Sequence, residues 1–122
     1  MQTERPQRLN WGCGSHVAPG WINCDQKSGY GIDLSCNIFD GLPLDNDQLD
    51  YVVSIHALPE IPFERLGEVL RELRRVLKPG GVLRLCLPDL FKGVAKSMAK
   101  IEYLSRLGVQ PVGALGFVLF NN

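Results

Sequence analysis

Two glycines and a carboxylate near the N-terminus have the types and spacing of a cofactor-binding turn. Residues 9–14 read LNWGCG, so an apolar strand leads into a turn with glycine at positions 12 and 14. Glycine reaches positive φ without strain and has no Cβ, so a ligand can approach bare backbone there. Residues 22–25 read INCD and end at Asp25, whose carboxylate can accept hydrogen bonds from ribose hydroxyls. The pattern predicts a nucleoside-type cofactor site at the carboxyl edge of a parallel sheet.

Two common phosphate-binding motifs are missing around this turn. The dinucleotide fingerprint G-x-G-x-x-G is incomplete, because Ala18, Pro19 and Gly20 follow at the wrong spacing. The pattern G-x-x-x-x-G-K-[ST] is also absent. Nicotinamide, flavin and triphosphate ligands are therefore disfavoured, while a tight turn that binds no ligand remains an open alternative.

The composition is that of one ordinary globular domain. The 122 residues are 45% apolar and 21% charged, a balance typical of a folded chain rather than a disordered one, and we expect a single domain over residues 1–122. Thirteen basic and thirteen acidic side chains cancel, without a run of lysine or arginine. A neutral surface of this kind predicts neither a nucleic-acid partner nor an anionic membrane partner.

The cysteines and the ends of the chain predict a cytoplasmic protein. Cys13, Cys24, Cys36 and Cys86 show no C-x-x-C spacing, which favours buried free thiols over a metal site or disulfides. Residues 1–8 are short and polar and do not resemble a signal peptide. The longest apolar run, residues 112–120, is much shorter than the roughly 20 residues that a membrane-spanning helix needs.

Hydrophobic periodicity predicts alternating strands and helices. Apolar residues recur at helical spacing over residues 62–77, with charged residues on the opposite face, and the sequence KPGG at 78–81 ends that helix. A second helix is predicted from Asp89, as its cap, to a stop at Gly108. Strands are predicted over residues 9–11, 21–25, 32–36, 49–55 and 82–87.

The first two connections between strands are too short for helices. Parallel strands usually need a crossover of about a dozen residues or more, yet residues 15–20 and 26–31 provide only six each. One face of the sheet should therefore lack its helices, although strands this apolar cannot leave both faces in water. We predict that residues 110–120, or a second subunit in a homodimer, cover that face.

Five stretches, in order, make the chain similar to class I S-adenosylmethionine-dependent methyltransferases. They read LNWGCG at 9–14, GWINCD at 20–25, LPL at 42–44, LDYVVS at 49–54 and LKPGG at 77–81. The GWINCD stretch directly after the glycine turn resembles the small-molecule or polysaccharide-associated branch called type 11. The resemblance covers about residues 9–90 and implies an α/β, Rossmann-like, doubly wound, mainly parallel sheet of about five strands. That sheet would lack the last strands and some crossover helices of the family.

The resemblance also implies a site for S-adenosyl-L-methionine, with S-adenosyl-L-homocysteine as the product. The turn at residues 12–14 would lie against the methionine part, and Asp25 would hold the ribose hydroxyls. Asn37 would accept a hydrogen bond from the adenine amino group, where relatives usually have an aspartate. His56, the candidate catalytic base, and Ser54 would lie beside the sulfonium and the methyl acceptor. The implied cofactor-binding residues are Asn10, Gly12, Cys13, Gly14, Asp25, Gln26, Asn37, Ile38 and Ser54, and no metal ion is expected.

Two departures from the family pattern bear on activity. Relatives commonly read Leu-Glu-His where this chain has Leu58-Pro59-Glu60, and only residues 109–122 remain for the last strands of the fold. The predicted function is methyl transfer to an oxygen, nitrogen or carbon of a small-molecule or saccharide-type acceptor. The alternative is a non-catalytic module that binds S-adenosylmethionine or S-adenosylhomocysteine or that dimerises. A nicotinamide-dependent reductase is disfavoured by the incomplete fingerprint.

Overall fold

The computed structural model describes residues 6–55, 61–86, 110–112 and 116–120. Five parallel strands are β1 (Arg8–Trp11), β2 (Ile22–Asp25), β3 (Leu34–Ser35), β4 (Leu49–Ile55) and β5 (Leu77–Cys86). Two antiparallel strands follow, β6 (Gln110–Val112) and β7 (Gly116–Phe120). Within these residues all the strands form one sheet in the order β3-β2-β1-β4-β5-β7-β6. Short 3-10 helices span Ile38–Asp40 and Phe63–Arg65, and the second leads into α1 (Leu66–Val76).

The parallel part of this sheet confirms the predicted Rossmann-like α/β fold. β3 is shorter than the predicted strand over residues 32–36, and the first turn of the predicted helix over residues 62–77 is a 3-10 helix. The expectation that the sheet lacks its last strands is wrong, because β6 and β7 are present. β7 pairs with residues far away in the sequence, such as Phe120 with Val82, and local pattern does not reveal such pairing. The predicted helix that starts at Asp89 lies outside the described residues.

The core lies between α1 and one face of the sheet. The apolar stripe of α1 is buried because its residues recur every three or four positions and so share one side of the helix. It packs against alternate residues of the sheet that share one face, including Leu9, Val52, Leu83 and Leu85, each fully buried. The buried helix residues are Leu66, Val69, Leu70, Leu73 and Val76.

α1 passes into β5 through an irregular segment rather than a loop. The Leu77 N–H bonds the Leu73 carbonyl and closes the helix, and Leu77 already pairs with Leu49 of β4. The register then shifts before Tyr51 pairs with Val82. A Cβ at Gly81 would lie 2.9 Å from the Lys78 carbonyl oxygen, so only glycine fits this excursion. The sequence KPGG therefore ends the helix as predicted and also sets the register of β5.

The connections after β1 and β2 contain no helix, as their length predicted, and hydrogen bonds hold them in place. The buried Asn23 side chain accepts from the Asn10 amide at 3.1 Å and from the Ala18 N–H at 2.9 Å. It also donates to the Ala18 and Trp21 carbonyls at 3.1 and 3.3 Å. The Asp33 carboxylate accepts the Asn23 backbone N–H at 2.7 Å. We refer to this set of contacts as the Asn23 clamp.

The face of the sheet opposite α1 is open among the described residues. Alternate residues of β1, β4 and β5 point to it, and Ile55 is 51% exposed there. β6 and β7 do not cover this face, because they pair edge to edge with β5 and extend the sheet. The prediction that the tail covers the face is therefore wrong for these strands, since backbone pairing draws them into the sheet itself.

A half-buried ion pair fastens α1 to the loop before β4. Glu72 bonds the Arg75 guanidinium at 2.7 and 2.9 Å and accepts the Leu42 backbone N–H. Arg75 also donates to the Leu42 and Leu44 carbonyls at 3.0 and 2.9 Å. The charge-assisted hydrogen bonds from Arg75 hold the pKa of Glu72 below the ordinary value of a glutamate side chain. The contacts fix the segment that follows the 3-10 helix at Ile38–Asp40.

Glu72→Gln is expected to lower the free energy of unfolding at pH 7 by about 1–2 kcal/mol, because it replaces charge-assisted hydrogen bonds by neutral ones. The lowered pKa of Glu72 means that this stabilisation is present above the ordinary carboxyl pKa and is lost as the pH falls through the lowered value. Urea denaturation of both proteins at pH 7 and pH 3 measures the difference, which should shrink at pH 3.

Glu68→Gln is the matched control for this prediction. Glu68 pairs with Arg65 at 3.0 Å, but both side chains are almost half exposed, and water screens the pair. The control should change the midpoint much less than Glu72→Gln. Equal losses in the two variants, or a difference that persists unchanged at pH 3, would contradict the role assigned to Glu72.

Candidate cofactor site

The glycine turn is tied to the end of the neighbouring strand. Gly12 and Gly14 have φ of 67° and 55°, in the left-handed region that favours glycine. The N–H groups of Gly12 and Cys13 both donate to the Cys24 carbonyl, at 2.8 and 3.1 Å. These contacts place the turn immediately beside Asp25.

The Asp25 carboxylate lies against the turn. Its Oδ1 is 3.4 Å from the Gly14 backbone N, and its Oδ2 accepts the Lys27 N–H at 3.2 Å. An ionised carboxylate offers about four lone-pair positions, so both oxygens can accept further hydrogen bonds. The geometry therefore brings an acceptor of hydroxyl hydrogen bonds to glycine backbone that no side chain shields.

A cavity of about 140 Å³ opens beside Asp25 at the carboxyl edge of the sheet. It is smaller than the roughly 300 Å³ of a typical small-molecule pocket, so it has room for part of a ligand. Arg65 packs its guanidinium 3.5 Å from the centre of the Phe39 ring in the cavity wall, which fixes that ring. The lining residues are Trp11, Gly12, Asp25, Gln26, Cys36, Ile38, Phe39 and Ile61.

Four residues that the sequence assigned to the cofactor line this cavity: Gly12, Asp25, Gln26 and Ile38. Asn37 precedes Ile38 and caps the 3-10 helix, and its Oδ1 accepts the Phe39 N–H at 3.0 Å. That oxygen is already engaged but keeps a second lone pair.

Four further lining residues were not singled out from the sequence as ligand contacts. Trp11 could have been predicted as a lining residue, because side chains alternate along β1 and Trp11 therefore points to the other face of the sheet from Asn10. Cys36 and Phe39 flank the predicted Asn37 and Ile38, but no pattern distinguishes a lining residue from a core residue there. Ile61 comes from a distant loop and carries no sequence signal.

The remaining predicted residues lie elsewhere. Asn10 faces the open side of the sheet, where its amide donates to the His16 carbonyl at 2.9 Å, so it positions the turn. Cys13 and Gly14 belong to the turn but do not line the cavity. Ser54 is 1% exposed, and its Oγ has no hydrogen-bond partner among the described residues. The candidate base His56 lies outside the described residues.

The thiols near the turn are poor nucleophiles. Burial, with a smaller effect of the Asp25 charge, raises the pKa of Cys13. Burial and a contact with Cys36, whose sulfur lies 3.4 Å away, raise the pKa of Cys24 strongly. These groups stay protonated at neutral pH, so the turn offers packing and backbone contacts rather than thiolate chemistry.

No cluster of three or more His, Cys, Asp or Glu side chains suitable for a metal ion occurs in the described part of the chain. No helix within the described ranges is long and apolar enough to cross a membrane. The larger cavity of this structure lies away from Asp25, on the open face of the sheet.

Solved structures share this fold at low sequence identity. A provisionally described S-adenosyl-L-methionine-dependent methyltransferase from Methanococcus maripaludis is 12% identical with a TM-score of 0.67, over 96% of this chain and 78% of that one. A SAM-dependent methyltransferase from Aquifex aeolicus is 16% identical with a TM-score of 0.57, over 94% and 80% of the two chains.

A third similar structure is longer than this chain. It is a chain from the complex between the Haloferax volcanii Trm112 methyltransferase activator and a provisionally described methyltransferase. It is 16% identical with a TM-score of 0.63, and the match covers 90% of this chain but only 64% of that one. The present chain thus spans less than two thirds of the length of that chain.

The family assignment comes from the sequence match. No curated protein sequence matches the chain. Residues 14–85, more than half of the chain, match the family described as "Methyltransferase domain". The match begins at Gly14 in the glycine turn, includes Asp25, and ends in β5, so it covers all the cavity-lining residues except Trp11 and Gly12. The chain belongs to this methyltransferase-domain family.

Proposed function

We propose that the crevice beside Asp25 binds S-adenosyl-L-methionine and that the chain transfers its methyl group to a small acceptor. The observation that carries the proposal is the contact of Asp25 with the Gly14 backbone at the mouth of an apolar-walled cavity. Family membership supports the same cofactor. When bound, this cofactor supplies a methyl group on a sulfonium, which already carries its own leaving group.

The residues present fit the parts of that cofactor. The cavity is too small for a whole nucleoside but suits a planar base, with Ile38 and Phe39 as apolar walls. In this proposal Asp25 accepts hydrogen bonds from the ribose hydroxyls, and Asn37 receives one from the adenine amino group. The backbone of residues 12–14 lies against the methionine part, where a Cβ at Gly14 would meet no atom within 4 Å. Glycine at position 14 thus serves conformation and open access.

The protein contributes alignment and exclusion of water to this reaction. Methyl transfer needs the acceptor atom in line with the bond that breaks, so positioning supplies much of the rate. An oxygen acceptor must also lose a proton, and His56, directly after β4, is the base that we propose. Ser54 is buried at the end of β4, so we assign it to the support of this strand end rather than to contact with the acceptor.

The acceptor that we propose is a small molecule or a saccharide, and the setting is the cytoplasm. The net charge of zero offers no basic surface to a nucleic acid. A non-catalytic cofactor-binding module is the second candidate. The buried Ser54 favours it, because its hydroxyl is shielded from an acceptor.

The homodimer predicted to cover the open sheet face remains a prediction. Arg8 and Arg84 both lie on that face. A copy packed face to face would bring like charges together, which disfavours such a dimer. Sedimentation velocity measures the oligomeric state. A dimer that Ile55→Glu dissociates would support a second copy of the chain on this face, and a monomer would contradict it.

Asp25→Asn is expected to weaken S-adenosylhomocysteine binding about tenfold or more, because hydrogen bonds to a charged acceptor contribute roughly 1.5–3 kcal/mol. Isothermal titration calorimetry measures the change. Asp47→Asn is the matched control, since Asp47 is exposed in the loop before β4 and asparagine tolerates its φ of 55°. Unchanged affinity in Asp25→Asn would contradict the proposed ribose contact. Binding of NAD in place of the sulfur nucleosides would contradict the proposed cofactor.

His56→Ala is expected to retain cofactor affinity and to lose most methyl incorporation, since the loss of a general base typically costs about 10²–10⁴ in rate. Radiolabelled S-adenosylmethionine and a lysate metabolite pool provide the assay without a known acceptor. Full turnover by the variant would remove His56 from the reaction. Cofactor binding by the parent chain without any incorporation would favour the non-catalytic module.

A further inference from the structure

A second and larger cavity lies on the open face of the sheet. Its volume is about 430 Å³, within the roughly 300–1,000 Å³ of small-molecule pockets, whereas the crevice beside Asp25 is much smaller. No described residue lines both cavities, although β1 and the loop after it contribute different residues to each. We call the larger cavity the open-face groove, and nothing in the proposed methyl transfer uses it.

The groove has an aromatic and aliphatic wall. The Trp21 and Tyr51 rings meet edge to face, with centroids 5.6 Å apart and an interplanar angle of 83°. The Arg8 guanidinium lies 4.8 Å from the centre of the Trp21 ring and so is held against the same wall. Val53 and the half-exposed Ile55 continue the apolar surface along β4. Together they form a surface that suits a compact apolar or aromatic body.

The charged side chains that the described residues bring to the groove are all of one sign. Arg8 and Arg84 line it, and no aspartate or glutamate of the described part of the chain does. In the described residues the ion pairs join Arg65 to Glu68, Arg75 to Glu72 and Lys78 to Asp50, so neither groove arginine has a carboxylate partner there. The Arg8 Nε is buried without a hydrogen-bond partner among these same residues. A buried donor of this kind is costly unless an acceptor satisfies it.

We propose that the open-face groove binds a small amphipathic anion, with an aromatic or aliphatic body on the Trp21–Tyr51 wall and an acidic group between Arg8 and Arg84. A carboxylate, sulfonate or phosphate supplies the charge and the acceptor atoms that two guanidinium groups need. The wall and the two arginines fit one molecule with both properties, whereas an inorganic anion would leave the apolar wall in water. This assignment stands independently of the proposed methyl transfer.

The test uses 8-anilinonaphthalene-1-sulfonate with the full chain, free of cofactor. Its fluorescence on titration should reveal one saturable site, and N-phenyl-1-naphthylamine, which lacks the sulfonate, should bind at least about tenfold more weakly, since charged hydrogen bonds are lost. Arg84→Gln should weaken sulfonate binding by a similar factor. Arg71→Gln, an exposed arginine on α1, is the matched control and should leave binding unchanged.

Three outcomes would overturn the proposal. They are equal binding of the charged and neutral probes, unchanged sulfonate affinity in Arg84→Gln, and a dimer in sedimentation whose interface excludes the probe. Arg84 is exposed, so its replacement should leave the fold intact, and a thermal melt of each variant checks this. Arg8→Gln gives a second measurement at the buried end of the groove. Calorimetry with S-adenosylhomocysteine on the same samples separates failure here from failure of the proposed cofactor site.

Discussion

The Asn23 clamp is the set of contacts on which the arrangement around the cofactor crevice depends. One buried amide bonds Asn10 of β1, both backbone groups of Ala18, and the Trp21 carbonyl. A helix in this connection would satisfy such backbone groups internally, but the segment is too short to form one. The clamp therefore fixes the loop whose first residues are the glycine turn, and it holds that turn within reach of Asp25.

Side-chain hydrogen bonds and close packing also hold the connection after β2. The Asp33 carboxylate caps the Asn23 backbone, and Gly31 approaches Val17 so closely that a Cβ would lie 3.0 Å from its side chain. The two loops thus pack on each other, and glycine at position 31 permits the contact with a φ of 79°. The open face of the sheet follows from these short connections, because both return to the start of the next parallel strand as loops without a helix and so leave much of that face uncovered among the described residues.

Local pattern predicted most of the fold. Helix α1 and strand β4 have strong periodicity, and their bounds differ from the predictions only at the two ends of the helix. The absence of helices after β1 and β2 was predicted from the length of those connections alone. β6 and β7 could not be predicted, since β7 depends on pairing with β5 across thirty residues or more, and β6 depends on pairing with β7. The 3-10 helix at Ile38–Asp40 depends on the Asn37 side chain, which motif matching assigned to a ligand instead.

Part of the candidate site could likewise be predicted from the sequence, and part could not. Gly12, Asp25, Gln26 and Ile38 line the crevice, as the motifs predicted. The motifs succeed here because they mark the residues at which strands end. Motif position does not identify which face a side chain takes, and Asn10 and Ser54 accordingly lie away from the crevice. The two arginines of the open-face groove belong to no motif. They are 76 positions apart in sequence and line the same groove because β1 and β5 flank β4.

The two edge strands of the sheet affect how readily the chain aggregates at high concentration. An outer strand with free backbone groups can recruit another molecule and grow into aggregates. Here one outer strand, β3, has only two residues, and the other, β6, has three with Pro111 at its centre. Proline lacks the N–H that a further ladder would need, and two residues provide too few bonds to nucleate one. The edges of the described sheet thus resist the addition of strands from another molecule.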